Sequence, residues 1–149
     1  MGTPDSVEVV RAYYEAFNAG DYETADDFMA EDAVADASRR QVEPGVWYGR
    51  DAISAAARRV RETWERITIE PEELIPIGKD IVVAVVVNRA QAPASGVEVE
   101  SRTAQVWTVK DGKADRFEYF GSKEEALAAY GDQAAASSDG EPPQPSARP

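Results

Sequence analysis

The sequence predicts an α+β protein: helices first, then a largely antiparallel sheet, then one closing helix. Two patterns and one turn carry that prediction. Apolar residues recur at helical spacing in the N-terminal part, as in Val9, Val10, Tyr13, Tyr14 and Phe17. From Ile67 onward the pattern changes to strand runs, including the unbroken apolar stretch Ile81 to Val87. Lys110-Asp111-Gly112-Lys113 is a hairpin turn, because Asp-Gly accepts the positive φ angles of a two-residue loop.

Each element has a local reason. Asp5 or Ser6 can cap the first helix, and Gly20 can close it in the left-handed conformation. Asp21 then caps a short second helix with Tyr22, Ala25, Phe28 and Met29 facing inward. Ala33 to Ala37 is a short strand. Residues 38 to 46 lack a period and contain Pro44-Gly45, which makes them a loop. A third helix begins at Gly49-Arg50-Asp51 and buries Ile53, Ala56, Ala57, Val60 and Trp64. Strands follow at Ile67 to Ile69, Leu74 to Ile77 and Ile81 to Val87, the last buried on both faces. In the hairpin, Lys110 opposite Lys113 sets Val106 against Phe117 and Ala104 against Tyr119. That register puts these four on one face, and Trp107, Gln105, Arg116 and Glu118 on the other. Both faces are part apolar, so the sheet should carry helices on one side and a partner or second sheet on the other. Residues 1 to 131 form the folded domain, and residues 132 to 149, rich in Ala, Ser, Gly, Pro and Gln, read as a disordered tail.

Composition removes several functions. A net charge of -12 repels phosphate backbones, so nucleic acid is not an expected partner. The chain has no cysteine and no histidine, which excludes a thiolate nucleophile, a thiolate zinc site and the usual base near neutral pH. No Gly-rich phosphate loop or metal-ligand set is present, so no cofactor and no metal are expected. No apolar run approaches the length of a membrane span, and MGTPDSVEVV has no signal core. The expected setting is cytoplasmic, without membrane contact.

VRAYYEAFNAGDYETADDFMAEDAV, WYGRDAI and SGVEVESRTAQVWTVKDGKADRFEYFGSKEEALAAYG resemble, in order, the nuclear-transport-factor-2-like proteins. The match covers residues 7 to 131 and is closest to the SnoaL-like and ketosteroid-isomerase-like branch. The resemblance implies a cone-shaped, curved, mostly antiparallel sheet wrapped around the N-terminal helices, with a pocket inside. It also implies homodimers through the outer sheet face, a use for the second buried face of Ile81 to Val87.

Tyr13 sits where the resemblance places a tyrosine that donates a hydrogen bond to a developing oxyanion. Against this stands the plainer reading of a packed helix tyrosine. The aspartate base of the isomerases falls on Ala37, which leaves neighbouring Asp36 as the candidate base although a regular strand turns it to the opposite side. The second acidic position falls near Ala104 or Gln105, neither acidic. The histidine expected of the cyclases is missing, and no aspartate pair matches the epoxide hydrolases. Arg89 or Arg102 is the candidate for orienting a ligand oxygen, with pairing to Glu98, Glu100 or Glu118 as the alternative. Phe17, Trp47, Trp64, Phe117 and Tyr119 are the expected mouth and walls for a flat apolar ligand. Asp26-Asp27, Glu31-Asp32 and Glu72-Glu73 read as solvated surface. The expected function is a SnoaL-like pocket for a small, apolar, oxygenated compound, with isomerase, cyclase or hydrolase chemistry. The competing reading is a non-catalytic binding or dimerisation module.

Overall fold

The computed structural model describes residues 5–41 and 43–139, with side chains described as far as residue 131. Four helices and six strands follow one another as α1 (Ser6–Asn18), α2 (Tyr22–Asp27), β1 (Met29–Asp36), β2 (Val46–Tyr48), α3 (Arg50–Thr63), β3 (Arg66–Ile77), β4 (Ile81–Gln91), β5 (Glu98–Lys110), β6 (Lys113–Phe120) and α4 (Lys123–Asp139). The strands form one curved, unclosed sheet in the order β2-β1-β6-β5-β4-β3. Every pair is antiparallel except β1 with β6, which makes the sheet mixed.

Local chemistry explains the boundaries. The Asp5 carboxylate accepts from the Val7 amide at 2.8 Å and caps α1. Asp21 caps α2 through the Thr24 amide. Met29, expected at the end of α2, instead opens β1. Trp64, expected on the α3 stripe, lies just past the helix end in an extended conformation, so it leaves the helical period. Ile67 to Ile69 and Leu74 to Ile77 belong to one strand: β3 runs through Pro71, where its pairing with β4 shifts. Proline is tolerated there because β3 is an edge strand with no neighbour to receive its missing N–H.

The hairpin turn forms as expected, with φ of 54° at Asp111 and 79° at Gly112. Its register does not continue as expected. Val109 pairs with Ala114 but Thr108 pairs with Arg116, so Asp115 is an extra residue on β6. Beyond this bulge Trp107 faces Phe117 and Gln105 faces Tyr119. Phe117 and Tyr119 therefore share a face with Trp107 and Gln105, not with Ala104 and Val106.

The inner face packs on α1 through Val9, Val10, Tyr14, Met29, Val82, Val86 and Trp107. On the outer face Val83, Ala104, Val106 and Phe120 pack with Ala126, Leu127 and Tyr130 of α4. Val82, Val83, Val86 and Val106 are almost wholly enclosed, and each such valine contributes roughly 1.5–3 kcal/mol. The doubly buried reading of β4 holds, but α4 of the same chain supplies much of the outer cover. The inference from a bare outer face to a second chain thereby loses its premise. The boundary expected after Gly131 falls within α4, and residues 140–149 lie outside the described residues.

Candidate ligand-binding site

A cavity of about 140 Å³ lies between the inner sheet face and the helices α1, α2 and α3. It is comparable to the roughly 150 Å³ engineered cavity that holds a benzene molecule, so it encloses about one ring. Phe17, Trp47, Trp107, Phe117 and Tyr13 supply aromatic surface, and Met29, Ile53, Val60, Ile67 and Ile69 supply aliphatic surface. Tyr13 and Trp107 have ring centroids 4.7 Å apart, and Trp107 and Phe117 are 5.0 Å apart. The rings thus form a continuous wall from α1 across β5 to β6. The loop after β1 brings Trp47 to this wall. It is closed by the Ala37 amide donating to the Gly45 carbonyl at 2.8 Å. A Cβ at Gly45 would sit 3.0 Å from the Trp47 ring, so glycine lets the indole fold back over the loop.

Four polar side chains line this apolar space: Tyr13, Asp26, Arg40 and Gln105. Burial raises the Tyr13 pKa, the Asp26 carboxylate raises it further, and Arg61 opposes them. Tyr13 is therefore a neutral O–H at any physiological pH. Among the described residues its hydroxyl makes no hydrogen bond with a protein group, and no buried side-chain oxygen or nitrogen is left without a partner. The hydroxyl thus opens onto the cavity. The Asp26 carboxylate likewise makes no hydrogen bond or ion pair among the described residues. Arg40 donates to the Glu43 carbonyl at 2.8 Å and lies over the Trp47 ring at 5.7 Å. Burial lowers its pKa, opposed by the Glu43 carboxylate.

Gln105 is only 8% exposed and hydrogen-bonds to Tyr14. Tyr14 is the packed helix tyrosine, wholly buried and receiving the Trp107 indole N–H at 2.9 Å. Burial pushes its pKa well up. Adjacent tyrosines on α1 thus have different surroundings: Tyr13 borders the cavity and Tyr14 is locked in the core.

Of the residues expected at the site, Tyr13, Phe17, Trp47 and Phe117 line the cavity. Tyr119 is on the inner face but outside the lining, and Trp64 is off the end of α3. Asp36 turns outward, as strand alternation demands, while its neighbours Ala35 and Ala37 line the cavity. Its carboxylate accepts from the Ser38 hydroxyl at 2.6 Å and the Ser38 amide at 3.0 Å, and pairs with Arg116 at 3.5 Å. Neither arginine lines the cavity. Arg89 pairs with Glu70 and Glu100, and Arg102 makes a two-point pair with Glu72 at 2.7 and 2.9 Å. Arg102 belongs to the outer face with Val87, because the bulge that turns Phe117 inward leaves Ala104 and Val106 outside.

Asp26, expected as solvated surface, and Arg40, given no role in the sequence, both line the cavity, and of the two positions the resemblance offered for the second acidic group it is Gln105, not Ala104, that lines it. Asp26 follows Tyr22 by four residues, a spacing that aligns them on one helix face. Gln105 alternates with Trp107. The Arg40 loop has no period to read. Among the described residues no cluster of three or more His, Cys, Asp or Glu could hold a metal, and no helix is long and apolar enough to cross a membrane.

The model of the SnoaL-like domain matches residues 10–117. The chain belongs to the SnoaL-like family. Solved structures agree on the fold of this SnoaL-like chain. One is a nuclear-transport-factor-2-like protein of unknown function from Burkholderia pseudomallei, 23% identical, with a TM-score of 0.69, covering 84% of this chain and 96% of the other. Another, from Mycobacterium tuberculosis and solved with estradiol-17β-hemisuccinate, is 19% identical with a TM-score of 0.68, over 83% and 97% of the two chains. The epoxide hydrolase/cyclase-like enzyme SalBIII is 21% identical with a TM-score of 0.66, over 78% and 90%. No curated protein matches this SnoaL-like chain.

Proposed function

We propose that this SnoaL-like protein binds a small, flat, largely apolar compound through one ring and one oxygen. The carrying observation is the Tyr13 hydroxyl, which borders an aromatic cavity without a protein hydrogen-bond partner. A desolvated phenol beside a ligand oxygen is a strong donor, since no water competes for it. Gln105 adds a second polar group on the β5 wall. The ligand-bound Mycobacterium tuberculosis relative and the cyclase-like SalBIII support a small oxygenated organic molecule as the class of occupant, and the cavity of this chain sets the one-ring size. In an isomerase, cyclase or hydrolase reaction, Asp26 is the carboxylate available for proton transfer, in place of Asp36. Binding without turnover is the second reading, favoured by the β1 wall, which offers the cavity Met29, Ala35 and the adjoining Ala37, none of them ionisable. Titration with acetophenone and 4-nitrophenolate, followed by NMR, tests the proposal. Saturable shifts at Tyr13, Trp107 and Phe117 are expected. No saturable shift at cavity residues with either probe would overturn it. Proton exchange at the acetophenone methyl group, lost in Asp26→Asn, would separate enzyme from binder.

A further inference from the structure

The indole N–H of Trp107 can only donate a hydrogen bond. It donates to the Tyr14 hydroxyl oxygen at 2.9 Å. The hydroxyl proton is then directed to its other neighbour, Oε1 of Gln105. This chain has one direction, and it distinguishes the two ends of the Gln105 amide: the carbonyl faces Tyr14 and the amino group faces away. The three residues are 3%, 1% and 8% exposed, so solvent has little access to scramble the order. Among the described residues the amino group donates to no protein group, yet no buried side-chain nitrogen is without a partner. Since Gln105 lines the cavity, its amino group opens into it. Reversing the amide would aim two donors, indole and amide, at one hydroxyl and leave the hydroxyl proton stranded in the core.

We propose that Trp107 and Tyr14 are positioning residues that set ligand specificity: they hold Gln105 as a donor, so the cavity selects an acceptor oxygen. Carbonyl, enolate and phenolate oxygens satisfy that site, whereas an N–H or a bare CH₂ leaves the amide unpaired. The inference rests on the pocket reading above but makes a separate claim. Trp107 also forms cavity wall, whereas Tyr14 does not, so Tyr14 is the cleaner place to break the chain.

Acetophenone and α-methylstyrene have the same shape and differ by C=O against C=CH₂. The wild-type protein is expected to prefer acetophenone. Tyr14→Phe should reduce that preference about fivefold, the worth of one neutral hydrogen bond, with α-methylstyrene affinity unchanged. Gln105→Glu is the second variant: it keeps an acceptor for Tyr14 but turns an oxygen to the cavity, and should cut the preference at least as far as Tyr14→Phe does, leaving only what the Tyr13 hydroxyl supplies. In the unliganded wild type, NOEs from the Gln105 amino protons should reach cavity side chains and not the Tyr14 ring. Amino protons against Tyr14, or a preference unchanged in both variants, would overturn the specificity role. Equal weakening of both probes would reduce Tyr14 to a structural role and overturn it as well. A wild-type preference for acetophenone that both variants leave intact fails the inference alone, because Tyr13 then supplies it; a wild-type protein that binds both probes equally fails the inference and the Tyr13 oxygen contact together. One that binds neither fails the pocket reading and the inference with it.

Discussion

Replacing Tyr13 by phenylalanine separates binding from packing, because the structure assigns them to different atoms. The ring stays in its aromatic group, with Trp107 at 4.7 Å, Tyr14 at 5.3 Å and Phe17 at 6.2 Å. The hydroxyl leaves, and it has no protein hydrogen bond to lose among the described residues. Stability should therefore change by no more than about 0.5 kcal/mol, the range of substitutions without a structural partner. For a chain of this length that is a shift of about 1–2 °C in melting temperature. Binding should respond differently. A neutral ketone loses one hydrogen bond of about 1 kcal/mol, or fivefold in affinity. An anionic phenolate loses roughly 1.5–3 kcal/mol, or more than tenfold, because hydrogen bonds to charged groups are stronger. Thermal melts and parallel titrations with acetophenone and 4-nitrophenolate read both effects. A loss of several degrees would show that the hydroxyl serves the core. Unchanged affinity for both probes would refute the role of Tyr13 as donor.

Further outcomes follow from groups outside the cavity. Burial raises the Asp36 pKa, but the Ser38 hydrogen bonds and the charges of Arg39 and Arg116 outweigh it and bring it below its ordinary 3.8. Its stabilisation is fully present above that value and is lost as pH falls through the lower folded pKa. Asp36→Asn should cost about 1 kcal/mol at pH 7, with the gap from wild type closing in acid; a gap constant down to strong acid would contradict the ion pairing. Burial and the Glu118 carboxylate push Tyr130 up to about 12. Stability from that hydroxyl is whole below pH 10 and declines as pH rises through 12, so site-resolved NMR should find Tyr130 protonated past pH 11. Ala126, with 0% exposure, packs under α4 against the outer face. Ala126→Asp should cost at least about 3 kcal/mol by burying an unpaired charge, and a melting temperature within 2 °C of wild type would show that α4 is undocked.

The elements that repeat a pattern were legible in the sequence. Helical spacing from Val9 to Phe17 located α1, and the apolar run from Ile81 located the doubly covered strand. The Asp-Gly turn located the hairpin to the residue. Legibility ended where one residue broke a period. The bulge at Asp115 leaves no compositional mark, because it depends on how β6 bends across the sheet, yet it decides that Trp107 and Gln105 join Phe117 on the inner face. Strand alternation correctly warned that Asp36 would point away from Ala37. Asp26 looked like solvated charge because acidic pairs usually are, and only the packing of α2 against α1 turns it toward Tyr13. Arg40 sits in a loop whose path is set by the pairing of its two ends, Ala37 with Gly45, and by no periodic pattern. Arg89 and Arg102 could be listed from sequence as ion-pair candidates, but their main partners, Glu70 and Glu72, come from β3, which is next to the strand of Arg89 and two strands from that of Arg102, and lie outside the expected set.

The parallel pairing of β1 with β6 orders the events of folding. Strands β3 to β6 form an uninterrupted meander in which each strand pairs with the next along the chain. Such contacts close short loops and form early. The pairing of Val34 with Arg116 and Ala35 with Phe117 spans more than half the chain, so the layer of α1, α2, β1 and α3 must close over a meander that already exists. The cavity is bounded by both parts: Tyr13, Asp26 and Ala35 come from the first, Gln105, Trp107 and Phe117 from the second. It is completed only by the last closure. A bound ligand therefore acts as a bridge between two cooperative units, and slows their separation more than it slows fraying inside either one. In hydrogen exchange, occupancy should protect the β1–β6 seam first, ahead of the hairpin that turns at Gly112.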